Sequence, residues 1–290
     1  MLIAQITDIH LGFEPNNPAE FNRKRLDRTL RALCAMTPRP DLLLATGDLS
    51  DSGEDDVSYR RLKSALAACP FPVWFCVGNH DDRASLLKYF PHVPTADGFI
   101  QYAIEDQAIR ILVLDTLEEG RHGGGFCETR AAWLEARLGE QPERPTILAL
   151  HHPPIATGLS WMTENPDAEW VLRLRAIVEG RSNIVAMLTG HLHRPLTTLW
   201  AGTTLAVCPS TAPQVALDLA RIDPDKPDGR PMIVADPPGY ALHYWNGEGL
   251  ITHFDTAEDH TVLARYEPAL QPLVQMLVAE RMTPRAAHPR

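Results

Sequence analysis

The sequence predicts an α/β protein with much parallel sheet. Three observations carry this expectation. Short runs of Ile, Val and Leu recur from residue 2 to residue 188, at the length of buried strands. Longer stretches with apolar residues at helical spacing separate them. Nearly every apolar run ends in Asp, Asn or His, and α/β sheets place their ligand sites beyond the carboxyl ends of their strands.

The expected strands are residues 2–7, 42–46, 73–77, 109–114, 147–150 and 184–188. The expected helices are 20–36, 55–68, 83–90, 129–138 and 167–178. The first helix aligns Leu26, Leu30 and Leu33 on one stripe, and Thr129 is expected to cap the fourth. Beyond residue 200 the texture changes. Residues 203–208 read as a further strand. Residues 223–239, crowded with Pro, Asp and Gly, read as a long excursion or linker. Alternation around 240–244 and 250–254 suggests a terminal hairpin, and 282–290 reads as a disordered tail.

Composition bounds the function. The chain has 290 residues, enough for one large core or two modest domains, with 44% hydrophobic and 22% charged residues, as in ordinary globular proteins. No apolar run reaches the roughly 20 residues of a membrane-spanning helix. Residues 1–10 lack a basic start and their apolar run ends in Asp8 and His10, unlike a signal peptide, so a cytoplasmic location is expected. A net charge of −10 argues against a nucleic-acid partner, whereas small anionic substrates stay open where metal ions dominate the local field. The five cysteines, Cys34, Cys69, Cys76, Cys127 and Cys208, are odd in number and show no paired short spacing. That pattern disfavours a disulfide framework or a thiolate zinc site.

The polar residues at the strand ends read Asp8-x-His10, Gly47-Asp48, Gly78-Asn79-His80-Asp81, His151-His152 and Gly190-His191-x-His193. Singly each has an ordinary explanation. Gly47-Asp48 is a common strand-to-helix turn, His151-His152-Pro153-Pro154 a rigid loop entry, and Asp-x-His a turn with a surface histidine. Five such coincidences in one order at five strand ends are not explained that way. In Asp8-x-His10 and His191-x-His193, alternation along an extended segment would send both side chains the same way. Mixed N and O ligands without thiolate suit Mn, Fe, Zn or Co.

In order, residue type and placement, residues 1–200 resemble the calcineurin-like metallophosphoesterases, most of all their bacterial branch of class III cyclic-nucleotide phosphodiesterases and glycerophosphodiesterases. The resemblance implies a four-layer α-β-β-α sandwich of two mixed sheets, with a dinuclear metal site at the strand carboxyl ends. It implies Asp8, His10 and His193 at the first metal, Asn79, His151 and His191 at the second, and Asp48 bridging both. Either His151 or His152 could be the ligand, and the family's pattern favours His151. It further implies that His80 contacts the phosphoryl group and protonates the departing alkoxide, after attack by a hydroxide held between two divalent transition-metal ions. Asp81 would orient a neighbouring side chain.

The function so implied is hydrolysis of small phosphodiesters, either 3′,5′-cyclic nucleotides such as cAMP or glycerophosphodiesters. The alternatives are a broad-specificity phosphomonoesterase, a scaffold without catalysis, and a nuclease, which the acidic charge disfavours. Residues 1–200 would form the catalytic core, and 201–265 would complete it or form a cap or dimer contact, with 266–290 as a tail. Homo-oligomers are an expectation of the resemblance alone. Other candidates read as ordinary structure. Asp51 looks like a surface or capping carboxylate, and Asp115 ends a strand where the family has no ligand. Gly123–Gly125 reads as a flexible loop without the pattern of a phosphate-binding loop, while Trp161 and Met162 suit packing as well as a substrate wall. His92, His122, His243, His253 and His260 read as structural or surface residues.

Overall fold

A computed structural model describes residues 1–53 and 55–282. The chain divides into two units, Met1–Ala257 and Glu258–Arg290. In the first, strands β1 (Leu2–Ile6), β2 (Leu42–Thr46) and β3 (Val73–Cys76) alternate with helices α1 (Phe21–Cys34), α2 (Asp56–Leu66) and α3 (Arg83–Tyr89). Then follow β4 (Tyr102–Ile104), β5 (Arg110–Val113), α4 (Glu128–Glu140), β6 (Thr146–Ala149), α5 (Glu169–Val178) and β7 (Ile184–Thr189). Strands β8 (Leu196–Trp200), β9 (Thr203–Val207), β10 (Gln214–Val215), β11 (Ile233–Val234), β12 (Gly239–Trp245) and β13 (Leu250–Thr256) complete the unit.

Two mixed sheets result. The first has the order β13-β12-β1-β2-β3 and the second β4-β5-β6-β7-β9-β8. Strands β1, β2 and β3 are parallel, with Ile3 beside Leu42 and Leu43 beside Val73, and β12 runs antiparallel against the other side of β1. In the second sheet β5, β6, β7 and β9 are parallel, while β4 and β8 close its edges antiparallel.

Period-two alternation explains the layers. Ile111, Val113, Ile147 and Ala149 join Ile3, Ile6, Leu44 and Phe75 in one buried cluster, which also takes in Leu26 and Leu33 of α1 and Leu62 of α2. Their neighbours Leu112, Leu148 and Leu150 face the other way, onto Leu134 and Leu138 of α4 and Val171 and Leu174 of α5. Each fully buried Leu or Ile contributes about 1.5–3 kcal/mol. The architecture is therefore helix, sheet, sheet, helix, as the resemblance implied.

The differences lie where local signals are weak. Helix α4 begins at Glu128 with Cys127 in the capping position, not Thr129. The backbone bond from Gly125 to the carbonyl of Thr116 brings the chain into the helix earlier than the hydroxyl suggested. Strands β4 and β8 were not anticipated, because one is three residues long and the other, Leu-Thr-Thr-Leu-Trp, is an exposed edge. In the second unit a 3-10 turn, Pro268–Leu270, leads into helix α6 (Gln271–Met282), where a tail was expected. Of the anticipated disordered stretch, residues 283–290 lie outside the described residues.

Candidate metal centre

The polar residues that follow β1, β2, β3, β6 and β7 meet at one place. Their backbone is not extended. Asp8, His10, Asp48, His191 and His193 all have left-handed φ, at 49°, 47°, 50°, 70° and 56°. Asp and His tolerate this region better than most residues, at a strain of order 1–3 kcal/mol each where the surroundings enforce it. The strand alternation expected for Asp8-x-His10 and His191-x-His193 is thus replaced by coiled segments. Asp8 and His10 still meet in one ligand group, whereas His191 and His193 enter two different ones.

Hydrogen bonds fix the segments in place. The amides of Asp8 and Ile9 donate to the carbonyls of Gly47 and Asp48, and those of Thr211 and Ala212 donate to Thr7 and Asp8. Asp8 Oδ2 accepts from the His191 amide at 3.0 Å, and Asp48 Oδ1 accepts from the His80 amide at 2.9 Å. Asp81 acts mainly on backbone, and on one neighbouring side chain as well. The amides of Leu49, Ser50 and Gly78 donate to it, and so does the hydroxyl of the neighbouring Tyr59, the one side chain it holds.

What these bonds leave over points to cations. His151 Nδ1 is 2.7 Å from the Thr46 carbonyl and His193 Nδ1 is 2.8 Å from that of Pro213. A carbonyl only accepts, so both rings carry a proton on Nδ1 and turn Nε2 inward as the atom open to a cation. His193 Nε2 lies 3.3 Å from Asp8 Oδ1 and 3.2 Å from His10 Nε2. Asp48 Oδ2 sits between His10 Nε2, at 3.6 Å, and His151 Nε2, at 3.3 Å. Asp8 Oδ1, His151 Nε2 and His191 Nδ1 are buried with no hydrogen-bond partner. Orphaned acceptors crowded in this way fit divalent ions. Four ligand groups form: Asp8, His10 and His193; His10, Asp48 and His80; Asp8, Asp48 and His151; and His151, His152 and His191. Asn79 joins the last, its Oδ1 3.2 Å from His152 Nε2.

Charge reinforces the picture. Burial opposes ionisation of Asp48, but His151, His10 and His80 outweigh it and hold the carboxyl well below its usual range. Burial likewise opposes a charge on His151, yet Asp48 and Asp8 raise it to about 9. His191 goes the other way: burial, then the neighbouring His151, lower it to about 3.

Two residues have partners that the sequence did not show. Asp51 is neither a cap nor a free surface group. Its Oδ1 lies 3.3 Å from His10 Nδ1, and its carbonyl accepts from His80 Nδ1 at 2.9 Å, while Asp55 caps α2. His122 stands at the centre, with Nδ1 3.1 Å from Asn79 Nδ2 and its ring 4.8 Å from that of His191. No sequence spacing could have revealed it, because it lies well beyond the end of β5, within the long loop to α4. Asp115 is a buried partner of Arg83, at 2.7 Å, and Trp161 and Met162 pack in the outer cluster.

The profile of the calcineurin-like phosphoesterases matches residues 1–195. The chain belongs to the calcineurin-like phosphoesterases. Among relatives of this phosphoesterase, a probable glycerophosphodiester phosphodiesterase of Arcobacter nitrofigilis is 32% identical over 87% of this chain and 92% of its own. A probable cyclic nucleotide phosphodiesterase of Rhodopseudomonas palustris is 36% identical over 82% and 84%. A 3′,5′-cyclic adenosine monophosphate phosphodiesterase of Escherichia coli K12 is 30% identical over 73% and 76%. A dimetal phosphatase of Danio rerio has the same fold, with a TM-score of 0.64 at 15% identity over 89% and 97%. Family and relatives together make the chain a phosphoric diester hydrolase.

Proposed function

We propose that this phosphoesterase hydrolyses small phosphodiesters, 3′,5′-cyclic nucleotides or glycerophosphodiesters, at a centre holding two divalent cations. The observation that carries the reading is Asp48 Oδ2, placed between the inward nitrogens of His10 and His151. One cation would be held by Asp8, His10, His193 and Asp48, the other by Asp48, Asn79, His151 and His191. His151 rather than His152 is the ligand, because both ring nitrogens of His152 already have partners in Thr116 and Asn79. The all-N/O donor set fits Mn, Fe, Zn or Co. Such ions, when bound, neutralise phosphoryl charge and provide a nucleophilic oxygen from water at neutral pH.

The chain's own groups do the rest. The Asp51 carbonyl commits His80 Nδ1 as a donor, so Nε2 is the nitrogen that can hand a proton to the departing alkoxide. Asp48 Oδ1 fixes the backbone of His80, and Asp81 pins the loop that carries Asp48. The names of the relatives favour diesters over monoesters. Among the described residues no helix is long and apolar enough to cross a membrane. The cysteines are free thiols, and we place the enzyme in the cytoplasm.

The test is turnover by chelator-stripped protein with Mn, Fe, Zn or Co restored. Bis(p-nitrophenyl) phosphate, p-nitrophenyl phosphate, cyclic AMP and a glycerophosphodiester would be offered in parallel. Cation-dependent cleavage favouring diesters is expected. Faster monoester cleavage would replace the reading with a phosphatase, and no turnover with any cation would leave a binding scaffold.

A further inference from the structure

The glycine-rich stretch between β5 and α4 has a place in the centre that its sequence did not suggest. It is anchored at its root by the buried Arg130, which donates to the carbonyls of Asp115 and Leu117 and to Glu118 Oε2. A turn bond joins the Arg121 amide to the Glu118 carbonyl, and the Gly125 amide returns to Thr116. Between these ties the loop presses on the site. A Cβ built on Gly124 would lie 2.9 Å from both His152 Cβ and Trp170 Cζ2, so only glycine lets the backbone approach this closely. The approach brings His122 to Asn79.

An asparagine amide has two ends of nearly equal shape, and only its partners decide which faces where. Here the partners form a directional chain. Thr116 Oγ1 accepts from the His152 amide at 3.3 Å, which leaves its own proton to give to His152 Nδ1 at 2.9 Å. His152 Nε2 then carries the hydrogen and donates to Asn79 Oδ1 at 3.2 Å. The other end, Asn79 Nδ2, donates to His122 Nδ1 at 3.1 Å. Without an acceptor at His122 the amide nitrogen would have no fixed partner at the open end of the chain.

We propose that His122 is a positioning residue, which holds the Asn79 amide with its oxygen turned to the His151–His152–His191 group and so sets the strength of the second cation site. The inference rests on the two-cation reading above. His122 is itself no ligand in this account: its acceptor nitrogen is occupied by Asn79.

The experiment is calorimetric titration of chelator-stripped protein with Mn²⁺, comparing wild type with His122→Leu, His122→Asn and Gly124→Ala. Because His122 is exposed, its variants should keep the wild-type Tm. His122→Leu should weaken one of the two cation sites roughly tenfold or more, the usual effect of losing a residue that orients a ligand, and leave the other unchanged. His122→Asn, which restores an acceptor near the position of Nδ1, should recover most of that loss. Gly124→Ala, which pushes the loop off His152, should reproduce it. With bis(p-nitrophenyl) phosphate, His122→Leu should regain wild-type kcat at saturating Mn²⁺. Two wild-type affinities in His122→Leu would overturn the proposal while leaving the phosphodiesterase reading intact. Failure of the wild-type protein to bind two cations would overturn both.

Discussion

His10 Nε2 and His193 Nε2 face each other at 3.2 Å, and the proton of the His193 ring is committed outward to Pro213. Two nitrogen lone pairs so placed, with Asp8 Oδ1 3.3 Å from one of them, are stable together when a cation sits among them. Chelation should therefore lower Tm, and Mn²⁺ at about a hundred times its Kd should restore about 2.7 kcal/mol. Scanning calorimetry with and without chelator would measure this, and an unchanged Tm would argue against the centre.

Asp51 supports the same site from behind. Asp51→Ala removes the carboxylate beside His10 Nδ1 and should weaken cation binding about tenfold, with the fold intact. Asp51→Asn should lie between the two. Equal affinities in all three proteins would return Asp51 to the surface role that its sequence position suggested.

Gly78 admits no side chain. A Cβ there would lie 2.3 Å from Asp48 Oδ1 and 2.7 Å from His151 Cδ2. Gly78→Ala should displace the carboxylate, abolish tight binding of both cations, and destabilise the protein by about 1–3 kcal/mol. Metal analysis after gel filtration decides the first point and thermal unfolding the second.

His80→Ala should retain both cations but hydrolyse diesters with poor leaving groups about 10²–10⁴-fold more slowly, since only those need a proton in the transition state. An equal loss with good and poor leaving groups would make His80 a phosphoryl-positioning group.

His243 supplies a pH dependence remote from the centre. It lies buried between Gln5 Oε1 and Thr252 Oγ1, at 2.9 and 2.8 Å, and burial, with His253 nearby, lowers it to about 3. The unfolded chain binds a proton there below pH about 6.5 and the folded chain does not. Its contribution to stability is therefore present above pH 6.5 and lost as pH falls from there towards 3, by at most about 1.4 kcal/mol per pH unit. In denaturant melts His243→Gln should flatten the wild-type slope across this window. An unaltered slope would assign the acid sensitivity to other groups.

Most of this architecture was legible because apolar runs and strand-end ligands follow simple periods. The runs at 2–7, 42–46 and 147–150 needed no partner to be read, and Asp8, Asp48 and the pair His151-His152 stand where those runs stop. Asp51 and His122 were not legible for a common reason. Each acts through a hydrogen bond to a residue far along the chain or across a reversed backbone, and neither leaves a local pattern. The left-handed φ of five site residues was hidden likewise, since Asp and His fit extended and coiled backbone alike. Strands β4 and β8 were missed because short or polar edge strands lack alternation.

Strand β12 lies between β13 and β1, and the Pro213 carbonyl orients His193. During synthesis, then, the strand that leads into Asp8 and His10 stays an open edge until more than two hundred further residues have emerged. A nascent or truncated chain ending near residue 195, the span the family profile covers, would expose β1 to pairing with other chains before it could hold a cation.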